Sequence, residues 1–101
     1  MTVKGAYMKD LILTHALKLC AAKGFRNVTR DNIAASAGVA TGSVSYHLGD
    51  TRKLRAAIVA HAIEQKDLTV IAQAYADQHP LAVKADPDLV ARAVRHMARK
   101  I

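Results

Sequence analysis

Residues 29–48, "TRDNIAASAGVATGSVSYHL", decide the fold. The stretch reads as two short amphipathic helices meeting at a glycine, Gly38. Thr29 stands where an N-cap is wanted, and Asp31 in the following turn suits the positive end of a helix dipole. The first of these helices ends near Ala37, and the second runs from about Thr41 to Leu48, where Gly49 closes it. Two helices crossing steeply over a three- or four-residue turn need a small residue at their close approach and a glycine in the turn. Counted from Arg30 as the first of twenty positions, Ile33 is fourth, Ala34 fifth, Ala37 eighth, Gly38 ninth, Val39 tenth and Val44 fifteenth. Those are the places where a helix-turn-helix uses an aliphatic, a small residue, a turn glycine and two further core residues. A packed helical hairpin with no nucleic-acid role satisfies the same spacing, so the outward face has to discriminate.

With Val39, Val44 and Leu48 pointing inward, the second helix turns Ala40, Thr41, Gly42, Ser45 and Tyr46 outward. A helix inserted into a major groove needs small or short polar residues at its N-terminal end, so that the backbone comes near the base edges, and one or two longer groups to reach them. Gly42 is costly inside a short helix. It reads either as room for close approach to a phosphate or base, or as a permissive first turn. Tyr46 has the reach for a thymine methyl or a phosphate, and it reads equally as a surface tyrosine.

Charge follows the same half of the chain. Of the formal net charge of +7, residues 1–55 hold nine basic groups against Asp10, Asp31 and Asp50, whereas residues 56–101 hold six against five acids. An excess of this kind suits a polyanion, because each neutralised phosphate releases condensed counterions. Solubilising surface charge is the plainer explanation.

Working outward, a first helix runs from about Lys4 to Lys23, with Met8, Leu11, Ile12, Ala16, Leu19 and Cys20 on one face, and Gly24 ends it. Phe25 and Val28 anchor the link to the core. Asp50 caps a fourth helix whose apolar positions are Leu54, Ala57, Ile58 and Ala62. Beyond Glu64 an apolar stripe continues through Leu68, Ile71, Ala72 and Tyr75, and spacing does not decide whether the fourth helix carries on or a new one restarts with Asp67 as its cap. Pro80 stops whatever precedes it. Asp86-Pro87 opens a last helix with Val90, Ala93, Val94, Met97 and Ile101 on one side and Arg92, Arg95 and Arg99 on others. The reading is an all-α chain of five or six helices. Residues 1–64 form a three-helix helix-turn-helix head, and residues 65–101 form a short additional helical segment that dimerises.

Several classes of function are excluded. Cys20 is the lone cysteine, so neither an intrachain disulfide nor a cysteine zinc cluster can form from one chain. His15, His47, His61, His79 and His96 lack metal-ligand spacing, and no catalytic signature or glycine-rich phosphate loop occurs. No enzyme activity, cofactor or metal is expected. No run approaches the roughly 20 apolar residues that span a bilayer, and the N-terminus lacks an uninterrupted apolar region, so the cytoplasm is the expected compartment.

The stretch "ILTHALKLCAAKGFRNVTRDNIAASAGVATGSVSYHLGDTRKL" resembles the DNA-binding region of the tetracycline-repressor (TetR) family. The matching features are an aliphatic first helix, Gly24-Phe25, Val28-Thr29, Ile33-Ala34, Ala37-Gly38-Val39, Gly42-Ser43-Val44, Tyr46-His47, Leu48 and Lys53-Leu54, over about residues 8–60. The resemblance implies a head that binds operator DNA as a homodimer, usually to repress transcription. It places Thr29, Ser43, Tyr46 and His47 at positions that often touch DNA. Ser45 stands where the family usually has a tyrosine, and Thr51 where it usually has a lysine, so Arg52 or Lys53 is expected to supply that phosphate contact. Together with Arg30, Ala40, Thr41 and Gly42 these form the expected DNA-binding set. The family then adds roughly a hundred residues or more that dimerise and hold an inducer; the remainder here is far shorter than what encloses a drug-sized pocket, so no small-molecule inducer is expected. The dimer interface is assigned to Leu68, Ile71, Ala72, Tyr75, Leu89, Val90, Val94 and Met97. Double-stranded DNA and a second copy of the chain are the expected partners, and no membrane. The alternative is a protein-protein interaction module or antirepressor that keeps this fold.

Overall fold

The computed structural model describes residues 3–99, and the side chains of residues 5–99, with no strand among them. Seven α-helices follow in order: α1 (Val3–Lys23), α2 (Arg30–Ala37), α3 (Thr41–Leu48), α4 (Thr51–Gln65), α5 (Leu68–Ala76), α6 (Pro80–Val83) and α7 (Pro87–Arg99). A 3-10 turn, Phe25–Asn27, links α1 to α2. The all-α class is as the sequence indicates. Ile101, assigned to the apolar face of the last helix, lies outside the described residues.

Local chemistry sets most of the boundaries. Thr29 and Asn32 form a reciprocal capping box at the start of α2, the threonine hydroxyl accepting from the Asn32 N–H while the Asn32 side chain accepts from the Thr29 N–H. Gly38 ends α2 in the left-handed region at φ 72° and donates its N–H to the Ala34 carbonyl. Asp50 caps α4 through the Lys53 N–H at 2.9 Å. The question left open after Glu64 is resolved as a restart. Lys66 takes a left-handed φ of 56° and closes α4 onto the Ala62 and Ile63 carbonyls, and the Asp67 carboxylate then accepts from the Val70 N–H to begin α5. Pro80 does not stop the preceding helix, which ends at Ala76 with Gln78 at a left-handed φ of 58°; it occupies the first turn of α6, where its missing N–H would have no intrahelical partner. These two events bring the count to seven rather than five or six.

One hydrophobic core runs through the chain. Ile12, Ala16 and Cys20 of α1 meet Phe25, Ile33 of α2, Val44 of α3, Ile58 and Val59 of α4, Val70, Ile71 and Ala74 of α5, and Ala93 of α7. The core therefore does not divide at residue 64. Polar contacts reinforce the union: the Phe25 N–H donates to the Gln73 side-chain carbonyl at 3.0 Å, and Arg26 pairs with Asp77 at 3.0 Å. The expected dimer surface needs correction on the same ground. Ile71, Ala72 and Leu89 are buried in the chain's own core, and Leu68 and Met97 pack against it, because α5 and α7 lie face to face. Val90 is half-buried, which leaves Tyr75 and Val94, 41% and 45% exposed, as the members of that set open to solvent.

Candidate nucleic-acid interface

Val44 and Leu48 are buried against α1, α2 and α4, so the orientation of α3 is fixed by its inner face. Polar braces hold the two ends. At the entrance, the Thr41 hydroxyl donates to the Asp31 carboxylate at 3.2 Å, tying the first turn of α3 to that of α2. At the exit, the Arg30 Nη2 donates to the Gly49 carbonyl at 3.4 Å. Behind them, His15 and Ser36 are 2.8 Å apart, and Lys23 donates to the Asn32 side-chain oxygen at 2.9 Å, fastening α2 to α1.

On the outer side Ala40, Thr41, Gly42 and Tyr46 are exposed, while Ser43, Ser45 and His47 lie half-buried on the flanks. Tyr46 projects furthest, at 85% exposure, with its ring edge-on to His47 at 5.1 Å between centroids. A methyl added at Gly42 would meet nothing within 4 Å, so the packing of the chain itself does not ask for a glycine there. Ala40 precedes α3 without any side-chain cap, and in the first turn the Ser43 N–H donates to the Ala40 carbonyl at 3.0 Å.

The start of α4 lies next along the chain. Thr51, Arg52 and Lys53 are exposed, and among the described residues neither Arg52 nor Lys53 is paired with a carboxylate. Gly49, which joins α3 to α4, has φ 78°, and a Cβ on it would stand 2.9 Å from Lys53 Cδ. The lysine stem is thus laid over the turn. Thr29 is exposed with its oxygen engaged in the cap.

Arg30, expected among the DNA contacts, is turned partly inward. The side chain is half-buried, its guanidinium is directed at the Gly49 carbonyl, and its Nε is sealed from solvent with no hydrogen-bond partner among the described residues. It braces the α2–α3 pair from within.

Two residues in this region escaped the sequence reading. Arg55 donates from Nη1 to the Phe25 carbonyl at 3.1 Å and from Nη2 to the Arg26 carbonyl at 3.3 Å, with its guanidinium 5.4 Å from the Phe25 ring centroid. It spans from α4 to the 3-10 turn and so fixes α4 relative to α1. His79 meets Phe25 edge-on at 6.0 Å. Burial pushes its pKa below the ordinary histidine value, against the opposing influence of Asp77 and with a smaller contribution from Arg55. Each was visible only as a polar residue beside an apolar stripe, a signal that many surface residues share.

Elsewhere the chain offers little reactive chemistry. Cys20 is buried, and desolvation pushes its thiol up to about 12. His61 is buried between α1 and α4, with Asp10 and Glu64 at 3.9 and 3.7 Å. No cluster of three or more metal-ligating side chains exists among the described residues, and none of the described helices is long and apolar enough to cross a membrane.

Residues 12–58 match the family model for bacterial regulatory proteins of the tetR family. No curated protein and no solved structure matches the chain. The matched span runs from the core of α1 through the braced α2–α3 pair into α4, taking in the exposed face of α3 and the free cations after it. The chain is a DNA-binding transcription regulator carrying the DNA-binding domain of the tetR family at residues 12–58.

Proposed function

We propose that the chain is a transcriptional repressor that grips a palindromic operator as a homodimer, with α3 as its recognition helix. The observation that carries this reading is the outer face of α3. It presents Tyr46 almost fully to solvent beside an exposed Gly42 whose missing side chain the fold does not need. Tyr46, with Ser45 on its flank, reads the base edges. Arg52 and Lys53 hold the phosphate backbone, as two cations free of carboxylate partners within the described residues. Arg30 and the Asp31–Thr41 pair keep the helix at a fixed pitch to do so. A recognition helix of eight residues gives little affinity alone, so two copies acting on half-sites about one helical turn apart are needed. The solvent-exposed apolar side chains Tyr75, Val83 and Val94, with the half-buried Val90 one turn before Val94 on α7, support the second copy's seat.

Footprinting on the DNA upstream of the protein's own gene, together with a reporter driven by that DNA, tests the reading. Two protected half-sites centred about one turn apart, and a reporter silenced by the protein, are expected. A single protected half-site, or a reporter that the protein activates, would refute the corresponding part.

A further inference from the structure

We propose that a cleft between the start of α4 and α6 binds a small amphiphilic anion, a carboxylate on a short apolar body, and that its occupant displaces DNA. The cleft has a volume of about 850 Å3, which falls in the range of small-molecule sites. Its lining has two characters. Ala56 of α4 with Pro80 and Leu81 of α6 make an apolar wall, and Leu81 is 39% exposed. Arg52, Lys53 and Arg55 also line the cleft. The acid in the lining, Asp50, is committed to capping α4.

Those features select the ligand. Three cations against one engaged carboxylate favour an anion and disfavour an amine. The apolar wall favours a hydrocarbon or aryl body over a bare inorganic anion. Arg55 is pinned by the Phe25 and Arg26 carbonyls, so its charge is held in place rather than swept about on a mobile stem. His79 also lines the cleft. Its Nδ1 accepts from the Leu81 N–H at 3.2 Å, so the neutral ring carries its proton on Nε2 as a further donor.

The regulatory half rests on the proposed function: Arg52 and Lys53 are the groups assigned there to the DNA backbone, and one cation cannot serve a ligand carboxylate and a DNA phosphate together. The cleft departs from the expectation of no inducer. That expectation concerned a cavity enclosed by the C-terminal helices, whereas this cleft is open and borders the head.

Octanoate is a suitable probe, titrated into the full chain without DNA and followed by amide resonances. Saturable shifts at Arg52, Ala56 and Leu81 are expected, with 1-octanol, octylammonium and inorganic phosphate each binding roughly tenfold or more weakly. Leu81→Ser, at an exposed position outside the DNA-contact set, should weaken octanoate roughly tenfold and leave DNA affinity unchanged. Octanoate at ten times its Kd should raise the apparent Kd for DNA about elevenfold. Absence of saturable shifts at these residues, or octanoate binding indifferent to Leu81→Ser, would overturn the site. Octanoate binding with DNA affinity unmoved would overturn the competition. A protein that binds octanoate here but has no sequence preference among DNA duplexes would support the cleft and refute the proposed function.

Discussion

In the proposed function Tyr46 supplies reach and Gly42 room on the outer face of α3. Truncating Tyr46→Ala should cost about 1–3 kcal/mol on the cognate site and relax preference there, because a base contact is lost. Lys53→Ala should weaken all duplexes about equally and flatten the dependence of affinity on salt. Titrations of both variants on cognate and random DNA separate the roles. Gly42→Ala makes a sharper case, since stability and function should move in opposite directions. The added methyl meets no neighbour, so helix propensity should stabilise the fold by up to about 1 kcal/mol, read as a rise in Tm. DNA affinity should fall, because the methyl stands where the duplex approaches. A variant that is more stable and binds equally well would return Gly42 to a permissive first turn.

Titration at single residues carries its own expectations. The Cys20 thiol, raised to about 12 chiefly by desolvation, contributes stability in full below the unfolded value of 9.0 and loses it as pH rises toward 12. A thiol reagent at pH 8 should therefore label Cys20 only as fast as the chain opens. His79 has the opposite sign. Its lowered pKa gives a contribution present above 6.5 that is lost as pH falls through the folded value, so His79→Gln should flatten the acid limb of the stability profile.

Among the elements, those with a chemical mark at each end were legible in the sequence. Thr29, Gly38, Gly49 and Asp50 delimit α2, α3 and the start of α4, and each acts by side-chain capping or by a backbone angle that favours glycine. The break between α4 and α5 was not decidable, because Lys66 adopts its left-handed angle as an ordinary lysine and the apolar stripe runs straight past it. α6 does not show in the sequence, because a proline reads first as the end of a helix, and here it begins one while α5 has already ended at Ala76. The outer face of α3 followed from helical spacing around Val44 and Leu48. The inward turn of Arg30 did not, for it depends on a carbonyl nineteen residues away. Asp67→Ala should cost about 1 kcal/mol through the lost cap. Gly49→Ala should cost more, because the added Cβ combines a strained φ of 78° with a clash against the Lys53 stem; chemical denaturation of the two variants gives the order.

At the scale of the molecule, the continuous core changes what the C-terminal helices can do. Most of the apolar residues assigned to pairing are spent inside the chain, as the burial of Ile71, Ala72 and Leu89 shows. The proposed dimer rests instead on Tyr75, Val83, Val90 and Val94. Val94→Asp should accordingly give a folded, helical monomer with weakened operator binding, whereas Leu89→Asp should unfold the chain by placing a charge in its core. Sedimentation and circular dichroism distinguish the two, and a wild type that sediments as a monomer at micromolar concentration would remove the preformed dimer.

The claim on which the rest depends is that α3 reads sequence rather than adding one more basic surface to a basic protein. It is tested by competition between the footprinted duplex and a scrambled duplex of the same length and composition, at low and at physiological salt. A specific protein should prefer its own site by roughly a thousandfold or more, and raising the salt should weaken the scrambled duplex without abolishing that preference. Equal affinity for the two duplexes, falling together as salt rises, would contradict it.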